Sequence, residues 1–233
     1  MNRSLTNTIR FIMDECIPPL IRDNKYFIYP LFYYWYKKKN VNFYMNFKSV
    51  AFDLSENEFS DAYRNLDCRA NDRETDLNSS CVNFMLENLE KNASSMLDAG
   101  CGRGYWLNKV AEKTNLKLTG CDLYDNVTLN RGTYVRGNIE NLPFEDNSFD
   151  IVTCHHTIEH VLNLDKAISE LKRVAKKQLI IVTPCQRYFR YTLDLHINFF
   201  PIESYLTSVI KMHKYTCKKK MGDWVYTGQK SLA

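Results

Sequence analysis

Residues 95–104 of the chain read SMLDAGCGRG, and this stretch decides the fold class. A short apolar run ends near Asp98, and three of the chain's eight glycines follow, at Gly100, Gly102 and Gly104. A helical pattern, YWLNKVAEKT, begins directly afterwards. Glycines in such a loop let the backbone turn sharply and let a ligand approach the main chain, where the helix N-terminus offers exposed amides. The segment therefore predicts a strand, a ligand-binding loop and a helix.

The same alternation of strand and helix patterns continues towards the C-terminus. Four further strands are predicted: LKLTGCD (116–122), TYVRGN (133–138), FDIVTCH (149–155) and QLIIVTP (178–184). An amphipathic helix is expected over 164–177, and an antiparallel edge hairpin around Gly222. Apolar strands that alternate with amphipathic helices indicate a parallel sheet covered on both faces. We therefore expect an α/β fold, mostly parallel, that ends in an antiparallel hairpin.

Two carboxylates beside the glycines indicate the class of cofactor. Asp122 ends the next predicted strand, so it should lie beside the loop, where a carboxylate can hold two ribose hydroxyls. A dinucleotide fold requires a third glycine where this chain has Tyr105, so that pattern fails. Asp98 would repel a pyrophosphate, but it suits a cofactor that carries an ammonium and a sulfonium. The residues favour S-adenosylmethionine.

The order of the motifs resembles that of class I S-adenosylmethionine-dependent methyltransferases over roughly residues 95–200. The motifs are LDAGCGRG, GCDLYD, GNIENLPFEDNSFDIVTCHHTIEHV and LKRVAKKQLIIVTP. The resemblance implies a Rossmann-like sheet, S-adenosylmethionine as cofactor and S-adenosylhomocysteine as product. It implies cofactor contacts from Asp98, Gly100 and Gly102 (methionine part), Asp122 (ribose), Leu123 (adenine), Asn138 and Ile139 (adenine edge) and His155 (methionine tail). The chain departs from the family at Asn138, often Asp, and at 176–178, where a Pro-Gly-Gly turn is usual.

A cluster of histidines follows the fourth predicted strand, at the tip that faces the transferable methyl group in this fold class. His156, Glu159 and His160 lie there, and His196 follows the fifth strand beside Asp194. A hydroxyl acceptor is a weak nucleophile, so a nearby base helps by roughly 10²–10⁴-fold, and imidazole suits that task near neutral pH. We expect His156, His160 or His196 to act as the catalytic base, with Glu159 as orienter or alternative base.

Three other interpretations of this cluster remain open. The histidines can simply cap or pack. HTIEH (156–160) also matches a zinc-protease pattern, which requires one continuous helix. A divalent metal held by His156, Glu159, His160 and His196 would resemble the Glu/His site of metal-dependent small-RNA 2′-O-methyltransferases, although those enzymes have a glutamate where His156 stands. A metal is thus an alternative, and the main prediction does without one.

Residues 1–90 contain no glycine and are predicted to form a helical appendage, or lid, over the acceptor site, with residues 91–233 as the S-adenosylmethionine-binding domain. Ser55 and Glu58 form a capping box, and Asp76 or Asn78 should cap the next helix. The aromatic stretch 26–47 would line the acceptor pocket, or else form an apolar seam or a homodimer contact. Phosphate-binding candidates are Arg64, Arg69, Arg73, Arg187 and Arg190.

The N-terminal stretch resembles methyltransferases of bacterial capsule and surface-polysaccharide gene clusters, including those for O-methyl phosphoramidate decoration. That resemblance implies O-methylation of a small sugar or of a phosphorylated, even nucleotide-linked, precursor. The alternative activity is RNA 2′-O-methylation, with lysines at 37–39 and 218–220 on the phosphates. A non-catalytic binding module is a third class. The net charge of +4 does not favour a nucleic-acid partner.

Composition and the N-terminal sequence indicate the cellular compartment of the protein. The chain has 233 residues and eight cysteines without any C-x-x-C pair, so a closed zinc site is not expected. The N-terminus lacks the layout of a signal peptide, and the cysteines then indicate reduced thiols in the cytoplasm. The longest apolar stretch, 26–36, is too short to span a bilayer and contains Pro30. A cytoplasmic protein without a membrane span is predicted.

Overall fold

The computed structural model describes residues 8–9, 11–68, 74–123 and 127–230. The chain divides into two compact units. The first unit comprises Met1–Asp76 and Gln186–Phe199, and the second comprises Leu77–Cys185 and Phe200–Ala233. The division falls earlier than the boundary expected near residue 90, because the helix over residues 79–87 packs into the core of the second unit.

The second unit is built on a seven-stranded sheet within the part of the chain that the structure describes. Its strands are β1 (Ser95–Ala99), β2 (Lys117–Asp122), β3 (Thr133–Arg136), β4 (Phe149–His155), β5 (Ala175–Pro184), β6 (Lys214–Lys220) and β7 (Asp223–Gln229). The order across the sheet is β3-β2-β1-β4-β5-β7-β6. Strands β1 to β5 pair in parallel, whereas β7 runs antiparallel to β5 and β6. The predicted α/β fold with a C-terminal antiparallel hairpin is confirmed.

Alternating side chains along the strands build one core on each face of this sheet. Leu97, Val152 and Ile181 belong to the first core, while their neighbours Ile151 and Ile180 belong to the second. All seven residues of β4 are buried, as expected for a central strand covered on both faces. Side chains of successive strand residues point to opposite faces, so an unbroken apolar run supplies both cores.

Four helices of the second unit cover the two faces of the sheet. The helices are α6 (Ser79–Glu87), α7 (Tyr105–Lys113), α8 (Leu164–Val174) and α9 (Glu203–Ile210). Asn78 is the residue that caps α6, where its side chain accepts from the Cys81 backbone. The helix predicted over 164–177 ends earlier, at Val174. Ala175 takes an extended conformation and pairs with Phe149, so residues 175–177 extend β5.

The first unit is helical in its described residues. It contains a π-helical turn Ile12–Cys16, helices α1 (Pro19–Arg22), α2 (Lys25–Trp35), α3 (Val41–Met45) and α4 (Phe47–Val50), a 3₁₀ turn Ala51–Asp53, and α5 (Glu56–Arg64). Ser55 and Glu58 form the predicted capping box of α5. None of the described helices of the chain is long and apolar enough to cross a membrane.

Aromatic side chains form the core of the first unit. Phe32 and Trp35 of α2 are buried, and the ring of Tyr36 stacks on that of Tyr44 at 4.4 Å between centroids. The segment 186–199 joins this unit through backbone acceptors. The Tyr36 hydroxyl donates to the Leu193 carbonyl at 2.7 Å, and the Tyr63 hydroxyl to that of Leu195 at 3.1 Å.

Candidate functional site

The glycine-rich loop between β1 and α7 is held in a conformation that requires glycine. Gly100, Gly102 and Gly104 all have positive φ angles, of 77°, 52° and 87°. The backbone amides of Gly100 and Cys101 both donate to the Cys121 carbonyl, at 2.7 and 3.1 Å. These bonds tie the loop to the end of β2. The loop predicted from the sequence therefore forms where the two strands end side by side.

Two of these glycines differ in the space around them. A Cβ on Gly100 would lie only 2.6 Å from Thr157 Cγ2, and it would overlap Thr157 Oγ1 as well. A Cβ on Gly102 would meet no atom within 4 Å. Gly100 thus permits the close approach of the segment after β4, while the main chain at Gly102 borders open space that a ligand can occupy.

Asp122 lies beside the loop, as its place at the end of β2 predicted. Its Oδ2 accepts a hydrogen bond of 2.8 Å from the backbone amide of Gly102. The hydroxyl of Tyr134, from β3, donates to the Asp122 carbonyl at 2.9 Å. The carboxylate is therefore fixed at the mouth of the loop. Tyr134 is a supporting residue that the sequence pattern did not identify.

Asp98 is the second carboxylate of the site, and it is only 1% exposed. Its Oδ1 accepts from the Thr153 hydroxyl at 2.9 Å and lies 3.2 Å from Nδ1 of His155. His155 is the last residue of β4, and its ring meets that of Trp106 edge-on, with 5.5 Å between centroids. The structure thus joins Asp98 and His155, two residues that the sequence analysis placed at the same end of the cofactor.

The remaining cofactor candidates follow the neighbouring strands. Leu123 comes directly after β2, and its carbonyl accepts from the Arg136 side chain at 3.1 Å. Asn138 follows β3, where its Oδ1 accepts from the Glu140 amide at 2.9 Å, and Ile139 is buried. Parallel strands end at the same edge of a sheet, so these residues share that edge with Asp122.

The residues at this edge fit S-adenosylmethionine by their chemistry. Asp98 provides a buried negative charge next to the loop, which suits an ammonium and a sulfonium. Asp122 provides a carboxylate at the next strand end, which suits ribose hydroxyls. A Cβ at Gly102 would enter open space, so the loop leaves room for a bound molecule.

His156 belongs to a buried group of charges that the sequence only partly revealed. Its Nδ1 lies 3.3 Å from Oε1 of Glu159, and its Nε2 lies 3.6 Å from Oδ2 of Asp223, the first residue of β7. Glu159 is 1% and Asp223 0% exposed. Asn78 donates to Asp223 at 2.9 Å, and Thr183 donates to Glu159 at 3.2 Å. The group therefore connects the β4 tip to β7.

The two carboxylates control the protonation of His156. Burial by itself would lower the pKa of His156, but Asp223 and Glu159 outweigh it and raise the pKa to about 10. Burial would likewise raise the pKa of Glu159, yet His156 lowers it. The contacts of the imidazole with the two carboxylates and the attraction of their charges both favour its protonated form. His156 is consequently an imidazolium at neutral pH and cannot accept a proton from an acceptor.

His160 lies on the same connection but in a different setting. Its backbone amide donates to the Thr157 carbonyl at 2.9 Å, and its side chain is half-buried. Residues 158–160 form a turn between β4 and α8, not a helix. The zinc-protease interpretation of HTIEH requires both histidines on one helix, so the geometry excludes it.

His196, the fourth catalytic candidate, belongs to the first unit. It is 6% exposed, and its Nδ1 lies 2.6 Å from Oε1 of Gln186. Its ring meets Phe199 edge-on at 6.4 Å. Asp194, in the same segment, is exposed.

The arginines predicted to bind phosphate make different contacts in the structure. Arg64 pairs with Asp61 at 2.8 Å and Arg187 with Glu15 at 3.1 Å, both on the surface of the first unit. The guanidinium of Arg190 lies 5.5 Å from the ring centroid of Tyr191. Residues 69 and 73 lie outside the described part of the chain.

Comparison with known proteins was consistent with the geometry. Residues 97–183 match a family model described as a methyltransferase domain. The demethylmenaquinone methyltransferase of Staphylococcus epidermidis is 30% identical over 128 residues, which is 48% of this chain and 53% of that protein. The malonyl-[acyl-carrier protein] O-methyltransferase of Buchnera aphidicola is 34% identical over 94 residues, 38% of each chain. The chain spans about half the length, or less, of these curated relatives.

A solved structure shares the fold. The SAM-dependent methyltransferase of Thermotoga maritima superposes with a TM-score of 0.52 at 18% sequence identity, over 65% of this chain and 88% of that one. At this level of identity the likeness establishes the fold alone.

Proposed function

We propose that the protein is an S-adenosylmethionine-dependent O-methyltransferase, because residues 97–183 match a methyltransferase domain and the fold is that of a solved methyltransferase. The observation that carries the proposal is Asp122, held by the Gly102 amide beside the buried carboxylate of Asp98. Bound S-adenosylmethionine supplies a methyl group activated by its sulfonium. The other proposed cofactor residues are Gly100, Leu123, Asn138, Ile139 and His155.

The proposed acceptor is a small sugar or a phosphorylated, including nucleotide-linked, precursor of a surface polysaccharide. The similarity of the N-terminal sequence to methyltransferases of capsule gene clusters supports this acceptor. The helical first unit is proposed to bind it, as the lid that the sequence predicted. All eight cysteines are free thiols, which supports a cytoplasmic location.

We assign different roles to the residues after β4. His156, protonated between two carboxylates, positions Glu159 and the β4 tip. His160 is the proposed general base, because a half-buried imidazole after the β4 tip can take the proton of a hydroxyl acceptor. His196 is proposed to contribute from the first unit to binding of the acceptor.

The alternative activity, RNA 2′-O-methylation, has less support. Two of the three lysines at 37–39 pair with the carboxylate of Asp67, and Lys220 lies over the ring of Phe84 at 4.8 Å. Basic side chains engaged in this way offer less charge to a phosphate backbone.

Two measurements test the proposal. Calorimetry with S-adenosylmethionine should show binding, while NADH should not bind. A panel of sugars, sugar phosphates, nucleotide-sugars and a short RNA should then be screened for release of S-adenosylhomocysteine. Release with RNA alone would favour the alternative, and binding without release on any acceptor would favour a non-catalytic module.

A further inference from the structure

The side chain of Lys48 in the first unit is placed unusually for a lysine. Its Nζ lies 4.3 Å from the ring centroid of Tyr188 and 4.5 Å from that of Phe199. The Nζ atom is buried, and it has no hydrogen-bond partner among the described residues. An ammonium carries three donors, and burying them unpaired costs free energy that a ligand with acceptor oxygens would recover.

A second buried cation lies near Lys48. Arg22 is 5% exposed, its guanidinium lies 4.1 Å from the ring centroid of Phe189, and it donates to the Tyr188 carbonyl at 3.1 Å. Asp23 is the carboxylate close to both cations. It lies 3.5 Å from Arg22 and also accepts from the Arg190 backbone amide at 3.3 Å. Two positive charges therefore face one negative charge.

These surroundings disfavour the charged form of Lys48. Burial lowers the pKa of Lys48 to about 7, the negative charge of Asp23 opposes this shift, and Arg22 adds to it. His196 is the other titratable group nearby, edge-on to Phe199. An anion placed against Lys48 would favour its charged form.

We propose that Lys48 and Arg22 form a subsite for a phosphate group of the acceptor. This inference rests on the proposed function, since it assigns the phosphorylated part of the same acceptor. Phosphate fits better than a carboxylate, because its terminal oxygens carry up to two negative charges and face two cations. Tyr188 is the cover of the subsite. It is 61% exposed, so its ring can move away from Nζ with the loss of only its edge-on contact with Phe199 among the aromatic contacts.

This subsite replaces the arginines that the sequence pointed to. Arg64 and Arg187 already pair with surface carboxylates. Both arginines are also exposed, so water and salt screen the attraction between them and an anion. A buried, unpaired ammonium next to a buried guanidinium binds an oxyanion with much less competition from water.

NMR of the lysine side chains in the full-length protein tests the subsite directly. The resonance of Lys48 is assigned by its absence in Lys48→Arg, and its pKa is followed with α-D-glucose 1-phosphate, uridine diphosphate, inorganic phosphate or acetate. We expect each phosphate compound to raise the pKa of Lys48 by about 1 or more, and acetate to have little effect. Lys38, exposed over the Tyr33 ring, is the control and should not respond. The compound that binds most tightly identifies the carrier of the phosphate.

Two results would overturn the proposal. One is a pKa of Lys48 that no phosphate compound changes, and the other is an equal response to acetate. S-adenosylmethionine binding, measured on the same samples, distinguishes a failure of the phosphate subsite from a failure of the proposed methyltransferase function. Normal cofactor binding without a phosphate response rejects the subsite alone, whereas a phosphate response without cofactor binding rejects the proposed methyltransferase. Lys48→Met should weaken phosphate binding at least tenfold, and Lys38→Met should not.

Discussion

Asp122 illustrates how a single side chain serves both the loop and the ligand. Its carboxylate accepts a hydrogen bond from the Gly102 amide and so fixes the position of the loop. The same carboxylate is the proposed partner of the ribose hydroxyls. The charge of Asp122 therefore favours cofactor binding in two ways, by holding the Gly102 amide and by accepting from the ribose hydroxyls.

Replacing Asp122 should weaken cofactor binding. Hydrogen bonds to a charged group contribute ~1.5–3 kcal/mol, so Asp122→Ala should reduce affinity for S-adenosylmethionine by about tenfold or more. Asp122→Asn keeps an acceptor for Gly102 but loses the charge, and should give an intermediate loss. Calorimetry checks both. Glu112→Ala, on the outer face of α7, is the control, and an Asp122→Ala affinity equal to that of Glu112→Ala would refute the placement.

His156 should make the stability of the protein depend on pH. Its pKa rises from 6.5 to about 10 on folding, so its stabilisation is complete below pH 6.5 and is lost as the pH rises through about 10. Removing one partner of a buried ion pair costs ~3–5 kcal/mol, and we expect a loss of that size for His156→Ala at pH 6.5.

Urea unfolding across this pH range measures the effect. The His156→Ala deficit should shrink towards alkaline pH, because the wild type loses the same stabilisation there. His213→Ala, at an exposed histidine, is the matched control and should follow the wild type. A deficit that is the same at every pH would show that His156 packs as a neutral side chain.

His160 should govern turnover and leave cofactor binding unaffected. His160→Ala should lower kcat by roughly 10²-fold or more on a hydroxyl acceptor, because the base is lost. The variant should also lose any pH dependence that this base gives to the wild-type rate. A chelator followed by metal add-back tests whether a divalent ion takes part. Normal turnover of His160→Ala, with a flat rate between about pH 6 and 8, would replace the base with an acceptor that is already anionic.

The strand–loop–helix element from β1 to α7 shows why glycines of one loop are not equivalent. Both Gly100 and Gly102 have positive φ, which costs a residue with a side chain ~1–2 kcal/mol. Only at Gly100 would a Cβ also meet another element, through Thr157. An added Cβ is therefore limited by a neighbouring segment at Gly100, and only by the backbone conformation at Gly102.

Alanine at these two positions should separate the two constraints. Gly102→Ala should lower the free energy of unfolding by only ~1–2 kcal/mol, the cost of a positive φ for a residue with a side chain. Gly100→Ala should lose more stability and most of the affinity for S-adenosylmethionine, because the loop must move away from Thr157. The double variant Gly100→Ala/Thr157→Gly should recover part of both losses. Urea unfolding and calorimetry check this, and equal effects of the two single variants would contradict it.

At the scale of the whole molecule, the second unit contains the complete sheet and both of its cores. All the proposed cofactor residues lie in it, whereas the proposed acceptor subsite lies in the first unit. The segment 186–199 leaves the second unit and returns, and Cys185 Sγ lies 3.5 Å from the Pro201 carbonyl. The residues that flank this segment are therefore close enough for a short linker to join them.

A shortened protein should separate binding of the cofactor from turnover. A chain that begins at Leu77, with 186–199 replaced by a short Gly-Ser linker, should fold and bind S-adenosylmethionine with unchanged affinity. It should not methylate the acceptor, since the proposed lid is absent. Calorimetry and release of S-adenosylhomocysteine are the measurements. Full turnover by the shortened chain would show that the first unit is not the acceptor site.

The sheet, the glycine loop and the place of Asp122 can all be predicted from the amino-acid sequence. Hydrophobic periodicity is local, and strand ends of a parallel sheet meet at one edge, so these features follow from order along the chain. The C-terminal end of α8 cannot be predicted in this way. Its polar pattern runs on to residue 177, and only the pairing of Ala175 with Phe149 turns the chain into β5.

The electrostatics of the histidines and the division into units depend on contacts between residues that are distant in the chain. Asp223 carries no motif, and it reaches His156 because β7 lies beside β5 in the sheet. The segment 186–199 follows the fifth strand along the chain, yet its carbonyls accept from Tyr36 and Tyr63, so it belongs to the first unit. Lys48 is one lysine among many in the sequence, and burial against two rings makes it distinct. Desolvation and pairing between distant residues depend on which elements become neighbours, and that information exists only after the chain has folded.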